Sequence, residues 1–323
     1  MMKKTLITLS LIVLVFANSI FAQAEFEKTN QANKVNVELA VMAGPTGFSS
    51  AKIARDKGDI GSNIMVNTRV YASPTQVVAK LTNGEVDVAA LPTNLAAILY
   101  NKGVDIKLVA VIGNGMLSVV SSDLNSWIDT TINVPGGPSA TPNQVASMLI
   151  GQNGYDIDSD FDLDFSITSS AQLSQLLIAN RATSALLPEP FTTMVLTKNP
   201  DVKIVLDVQK VYERTTGFSN YPMTVLVVQN KFNTENPAAV QAILKAYERS
   251  IDFVLANPKE AAQTIEEIQI MPAAIAAPAI PNCNLEYKSI DQAKAEVENY
   301  YTLLFNFNPK SVGGKLPDAG FYL

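Results

Sequence analysis

The chain has 323 residues, of which 47% are hydrophobic and 17% charged, with a net charge of −6, no histidine and a single cysteine, Cys283. A chain of this length divides into about two domains, and its composition is globular rather than disordered. The missing histidine excludes Ser-His-Asp and Cys-His catalysis, the lone cysteine excludes an intramolecular disulfide, the two together exclude His- or Cys-rich zinc sites, and the acidic balance argues against nucleic acid or an anionic membrane surface as partner.

The N-terminus reads as a basic MMKK, then the apolar TLITLSLIVLVFANSIFAQA ending in Ala22-Gln23-Ala24. Small residues flanking one position at the end of an apolar stretch mark an export signal, here residues 1–24, cleaved after Ala24. Residues 25–35 follow as a polar linker. The rival is a retained membrane anchor, because the apolar stretch is nearly long enough to span. The alanines and the polar linker favour export. No cysteine near the junction offers a lipid attachment point, and no later segment is long and apolar enough to span.

Beyond the linker, strand and helix patterns alternate. VNVELAVM reads as a strand, then Gly44-Pro45-Thr46-Gly47 and a helix through SSAKIARDKG. NIMVNTRVY is a strand. SPTQVVAKLTNG is a helix with Ser73 as N-cap, Pro74 in its first position and Gly84 at its end. VDVAALP, IKLVAVI and LSVVSS are strands, with the helix TNLAAILYNKG after the first. TINVPGGPSATPNQVASMLIG is strand, loop and helix, with Thr141 as N-cap. DLDFSIT, TSALLPEP and KIVLDV are strands; SSAQLSQLLIANRA and FTTMVLTKN are helices. The last third is mostly helical. Apolar strands alternating with helices predict an α/β fold with mainly parallel sheets.

Residues 74–95 align without gaps on residues 170–191. Gln76 meets Gln172, Leu81 meets Leu177, Leu91 meets Leu187 and Pro92 meets Pro188, all at an offset of 96. Gly44-Pro45-Thr46 meets Gly137-Pro138-Ser139 at an offset of 93. Two windows at nearly one offset predict two similar lobes. Ligands of such sheets sit beyond the carboxyl ends of the strands. There lie the loops at 44–47, 92–94, 136–141 and 188–190, with glycines that permit close approach and helix starts that offer free N–H groups. Glu189 takes the place of Thr93 in this alignment. Singly, each loop is also an ordinary strand–helix turn.

Other signals fall short. Gly113-Asn114-Gly115 has Ser118 where a dinucleotide fingerprint needs glycine, and the GGK at 313–315 is no phosphate loop. The acidic run at 156–164 has Phe161 where a calcium loop needs glycine. Phe48, Tyr71, Phe191, Phe218 and Tyr221 lie near loop ends, where an aromatic ring either stacks on a ligand or packs in a core. Trp127 and Cys283 read as packing residues.

The segments GPTG, GEVDVAALPTNLAAILYNKG, PGGPSATPNQVASMLIG, ALLPEPFTT and NPKSVGGKLPDAGFYL resemble those of ABC-importer solute-binding proteins. The group in question binds nitrate, taurine, alkanesulfonates and thiamine-precursor pyrimidines. The resemblance implies a two-lobed type II periplasmic binding protein fold with two hinge crossings, near residues 113–117 and 220–224. Lobe 1 would be 36–114 plus 222–323, and lobe 2 would be 115–221. It also implies a ligand site at Thr46, Gly47, Thr93, Asn94, Ser139, Ala140 and Glu189, with Tyr221 at a crossing.

These loops carry no Arg or Lys, which departs from anion-binding members. The chain also lacks the cysteine-rich motif of the pyrimidine-synthesising relatives. The expectation is a monomeric periplasmic protein that is not an enzyme and uses no cofactor or metal. It would bind a small polar ligand, amine- or N-heterocycle-bearing, and deliver it to an ABC permease. An enzyme on the same fold, such as a lyase or pyrimidine synthase, and a periplasmic sensor or docking protein are the alternatives.

Overall fold

The computed structural model describes residues 34–138, 140–154 and 159–323. The export signal at 1–24 and most of the linker, Ser139, and part of the acidic run at 156–164 lie outside the described residues. No helix among the described residues is long and apolar enough to cross a membrane.

Two sheets organise the molecule. The larger contains β1 (Val35–Met42), β2 (Asp59–Gly61), β3 (Ile64–Tyr71), β4 (Val88–Pro92), β5 (Ile106–Asn114), β11 (Pro222–Gln229) and β12 (Leu285–Ser289). Its order is β12-β5-β11-β4-β1-β3-β2. The smaller contains β6 (Leu117–Ser121), β7 (Ile132–Asn133), β8 (Leu163–Asp164), β9 (Ser184–Pro188) and β10 (Lys203–Asp207), in the order β10-β6-β9-β7-β8. The chain leaves the larger sheet after β5 and returns in β11, which inserts between β4 and β5.

The two-sheet α/β expectation stands, but the sheets are mixed rather than mainly parallel. β1 pairs in parallel with β3 and β4, and β7 with β8 and β9. The strands that lead out of and back into the larger sheet change the pattern. β11 runs antiparallel to both neighbours, and β6 is antiparallel to β9 and β10. A strand that arrives from the other lobe has no helical crossover to turn it parallel.

Helices cover the sheets. They are α1 (Pro45–Phe48), α2 (Ala51–Arg55), α3 (Pro74–Thr82), α4 (Thr93–Asn101), α5 (Thr141–Gln152), α6 (Ser170–Ile178), α7 (Phe191–Lys198) and α8 (Val208–Thr216). After β11 follow α9 (Asn230–Glu235), α10 (Pro237–Ala256), α11 (Pro258–Glu267), α12 (Ala273–Ala279) and, after β12, α13 (Ile290–Phe307). The helix expected through SSAKIARDKG is confined to α2, while the Gly-Pro-Thr-Gly loop expected before it turns as the short α1, the two parted at Ser49-Ser50. Both hydroxyls donate to carbonyls three residues back, Ser49 to Thr46 and Ser50 to Gly47. Such local bonds compete with a continuous helix.

Side-chain alternation assigns each strand to two cores. In β4, Ala89 and Leu91 join the core that reaches into the smaller lobe, while Val88 and Ala90 join the core behind the larger sheet. In β9, Leu186 faces the shared core, while Ala185 and Leu187 face a third cluster with α6 and α7. The shared core carries Tyr212, Tyr221 and Tyr300 across the boundary, with ring centroids 5.0 Å apart for Tyr212–Tyr221 and 5.8 Å for Tyr221–Tyr300. Asn284 ties the two connecting segments, donating to the Gly115 carbonyl at 3.0 Å and to Asn220 Oδ1 at 3.4 Å.

Candidate functional site

The offset of 96 in the sequence reappears as geometry. α3 and α6 both span nine residues, and Pro74–Thr82 maps onto Ser170–Ile178; β4 at Val88–Pro92 maps onto β9 at Ser184–Pro188. Each lobe ends a buried strand in Leu-Pro and starts a helix beyond it. These ends face each other across a cleft of about 720 Å³. One wall carries Pro45, Thr46, Pro74, Pro92 and Asn94; the other carries Gly136, Ala140, Thr141, Ser170, Pro188, Glu189 and Phe191.

The first turns of α3, α4, α5, α6 and α7 all contribute to this lining. Helix starts present unpaired N–H groups and the positive end of the helix dipole. Several converging on one space favour an anionic or hydrogen-bond-accepting group there. Against them stands one negative side chain, Glu189, the sole charged residue in the lining among the described residues.

Glu189 closes β9 and precedes α7. Its N–H donates to the Met116 carbonyl at 3.0 Å, which prolongs the β6–β9 pairing by one residue. The next peptide bond, Glu189–Pro190, is cis. Pro190 is the N-cap of α7, so the helix starts two residues later than α4 does in the other lobe. That delay leaves Glu189 ahead of the helix, where Thr93 is already its first residue. The Glu189 side chain is 7% exposed. Its Oε2 accepts the Thr193 N–H at 3.1 Å. Burial pushes the carboxyl above the ordinary carboxylate value, opposed by hydrogen bonds from Thr193. Cys283 nearby is fully buried, and its thiol is pushed well up, first by burial and then by the Glu189 charge.

Thr46, Asn94, Ala140 and Glu189 thus meet in one cleft. Thr46 lines it with its hydroxyl already engaged at the end of β1, accepting from the Met42 N–H at 3.0 Å and donating to the Met42 carbonyl at 3.1 Å. Asn94 Oδ1 accepts from Thr141 Oγ1 at 2.9 Å, a bond between the two walls. Thr141 is therefore not the N-cap; Ala140 is, and the freed hydroxyl of Thr141 points across the cleft.

Three expected residues lie elsewhere. Gly47 faces the core, where an added Cβ would fall 2.5 Å from Ile270 Cδ1 and 2.8 Å from the Met42 carbonyl oxygen. Thr93 is buried behind Asn94, its carbonyl accepting from the Tyr301 hydroxyl at 2.8 Å. Tyr221 is 0% exposed within the tyrosine cluster. It was placed by its position at the crossing, but its ring packs inward between Tyr212 and Tyr300. Ser139 lies outside the described residues.

Of the ring candidates, Phe191 lines the cleft, Phe48 is buried and Phe218 is exposed. The lining also includes Met42, Met116, Met223, Ser73, Pro74 and Ser170, which sequence reading did not place there. For Pro74 and Ser170 the signal was present, because they are partners in the offset-96 alignment.

A family model described as NMT1/THI5 like matches residues 61–261. No curated protein matches the chain. Among solved structures, an ABC transporter protein from Parabacteroides distasonis is 27% identical with a TM-score of 0.78, covering 90% of this chain and 99% of that one. The periplasmic aliphatic sulphonate binding protein SsuA from Escherichia coli is 12% identical with a TM-score of 0.70, covering 89% and 92%. The periplasmic nitrate-binding protein NrtA from Synechocystis is 16% identical with a TM-score of 0.63, covering 85% and 82%. The last two establish the fold alone, the two-lobed periplasmic binding protein architecture expected from the sequence.

Proposed function

The chain belongs to the NMT1/THI5-like family, and on that footing we propose that it is an exported solute-binding protein that captures a small polar ligand between its lobes. The lobes are residues 36–114 plus 222–323 and residues 115–221. The protein works in the periplasm as a monomer, after cleavage following Ala24, and hands its ligand to an ABC permease in the membrane.

The observation that carries this reading is the cleft itself. It is lined from both lobes by helix starts and, among the described residues, by a single charged group, Glu189. A partly desolvated carboxylate recognises N–H groups. The helix starts accommodate a carboxylate or a ring nitrogen. Amino-acid-like zwitterions and amine-bearing N-heterocycles meet both demands. With no Arg or Lys in the lining among the described residues, a bare oxyanion would meet Glu189 with only the helix starts to offset the repulsion.

The same inventory supports binding rather than turnover. General acid–base catalysis needs a titrating group for each proton moved, and among the described residues Glu189 stands alone in the lining. Cys283, buried with its thiol pKa raised, is no nucleophile.

A thermal-shift screen tests the assignment, because a ligand that binds only the folded chain raises its melting temperature. Amino acids and aminopyrimidines are expected to include a stabilising compound. A response confined to nitrate, taurine and alkanesulfonates would contradict the ligand class.

A further inference from the structure

Beside Glu189 the two lobes touch through residues outside the cleft lining. Thr193, in the first turn of α7, donates its backbone N–H to Glu189 Oε2 at 3.1 Å. Its hydroxyl oxygen accepts from Asn282 Nδ2 at 3.0 Å. Asn282 belongs to the larger-sheet lobe, in the single turn at Ile280–Asn282 between α12 and β12. Its Nδ2 also approaches the Pro278 carbonyl at 3.4 Å, which fixes the amide in that turn. The Thr193 hydroxyl, together with its N–H, helps hold the Glu189 carboxylate in its charged form against burial. Hydrogen bonds in series polarise one another.

We propose that Asn282 and Thr193 form a relay that couples lobe closure to the setting of the Glu189 carboxylate. One residue of the smaller lobe holds the carboxylate with its backbone and is gripped by the larger lobe through its side chain. Opening the lobes must part Asn282 from Thr193. Closing them engages the Thr193 oxygen from behind while the Thr193 N–H stays on the carboxylate. Asn282 is then a positioning residue: it acts on the ligand through Thr193 and Glu189 and does not line the cleft. The effect on ligand capture rests on the binding reading above. The closure contact does not, so it is tested without a ligand.

The measurement is the distance between spin labels at Lys198→Cys on α7 and Lys259→Cys on α11, both exposed positions, in the ligand-free chain. Cys283 is buried and does not compete for label. Asn282→Ala and Thr193→Val are each expected to shift the distribution toward longer distances, lowering the closed-to-open ratio about fivefold, the worth of one net hydrogen bond. The double variant should shift it no further than either single change. Thr193→Ser, which keeps the hydroxyl, should restore the original distribution. Asn282→Asp keeps the size of the side chain but loses the donor, and should reproduce the alanine result if that variant folds poorly. Unchanged distributions, or shifts that add in the double variant, overturn the relay. Opening that follows the relay while no compound in the screen stabilises the chain would leave the relay standing and remove the ligand assignment.

Discussion

Thr141 Oγ1 donates to Asn94 Oδ1 at 2.9 Å, joining the first turns of α5 and α4 across the cleft. The bond exists because Ala140, not Thr141, occupies the N-cap of α5. A capping hydroxyl would be folded back onto its own helix; this one is available to the other lobe. Thr141→Val and Asn94→Ala are each expected to weaken the lobe contact by about 1 kcal/mol, and the double variant by no more than either. Small-angle scattering of the ligand-free chain should register a larger radius of gyration in all three. Unchanged scattering would show that the bond does not hold the lobes.

Glu189 sets a pH dependence. Its folded value is raised, chiefly by burial, so the folded chain takes up this proton at higher pH than the unfolded chain does. The associated stability is present below the unfolded value of about 4.3 and is lost as pH rises through the raised folded value. Above both values the folded chain carries this charge against the cost of burying it. Glu189→Gln is therefore expected to melt higher than the parent chain at pH 7, with the gap closing toward pH 4. Thermal unfolding across that range decides it, and a Glu189→Gln chain that melts lower at pH 7 would contradict this account.

Gly47 serves packing. Gly47→Ala places a methyl group 2.5 Å from Ile270 Cδ1 and 2.8 Å from a backbone oxygen that cannot yield. Overpacking of this kind costs about 2 kcal/mol. Urea unfolding should show that loss, and any change in ligand affinity should follow from it rather than from a missing contact.

Tyr221 separates a core role from a ligand role. Tyr221→Ala empties the space between Tyr212 and Tyr300 and is expected to cost about 3 kcal/mol in chemical unfolding. Tyr221→Phe keeps the ring contacts. Its affinity for whichever compound the thermal-shift screen returns should match that of the parent chain, and a large loss would place the hydroxyl in the site.

Much of the frame was legible in the sequence because it is local. Ser73, Pro74 and Gly84 bracket α3, and the apolar runs VAALP and SALLP became β4 and β9 at their expected places. The offset of 96 survived into matched elements and placed Glu189 at the mouth of the second lobe. What could not be read depends on distant partners. β11 is antiparallel only because it returns between β4 and β5. β12 is a strand because β5 offers an edge. α8 starts at Val208, the last residue of the expected KIVLDV strand, where Asp207 caps it by accepting the Lys210 N–H, and sequence reading did not assign it.

The site was legible to the level of loops but not of side chains. Thr93 and Asn94 are adjacent, and only the way α4 sits on the Tyr301 hydroxyl decides which one faces the cleft. Thr141 illustrates the same limit, because shifting the helix start by one residue converts a cap into a bridge between the lobes.

Native mass spectrometry of the purified chain, with the parent and Glu189→Gln proteins prepared side by side, tests the central claim most directly. The account predicts that the parent protein carries a small N–H-bearing molecule through gentle purification and releases it on unfolding, and that Glu189→Gln does not retain it. An equal load of the same molecule on both proteins would remove Glu189 from recognition. A sulfonate or nitrate as the retained species would contradict the proposed ligand class.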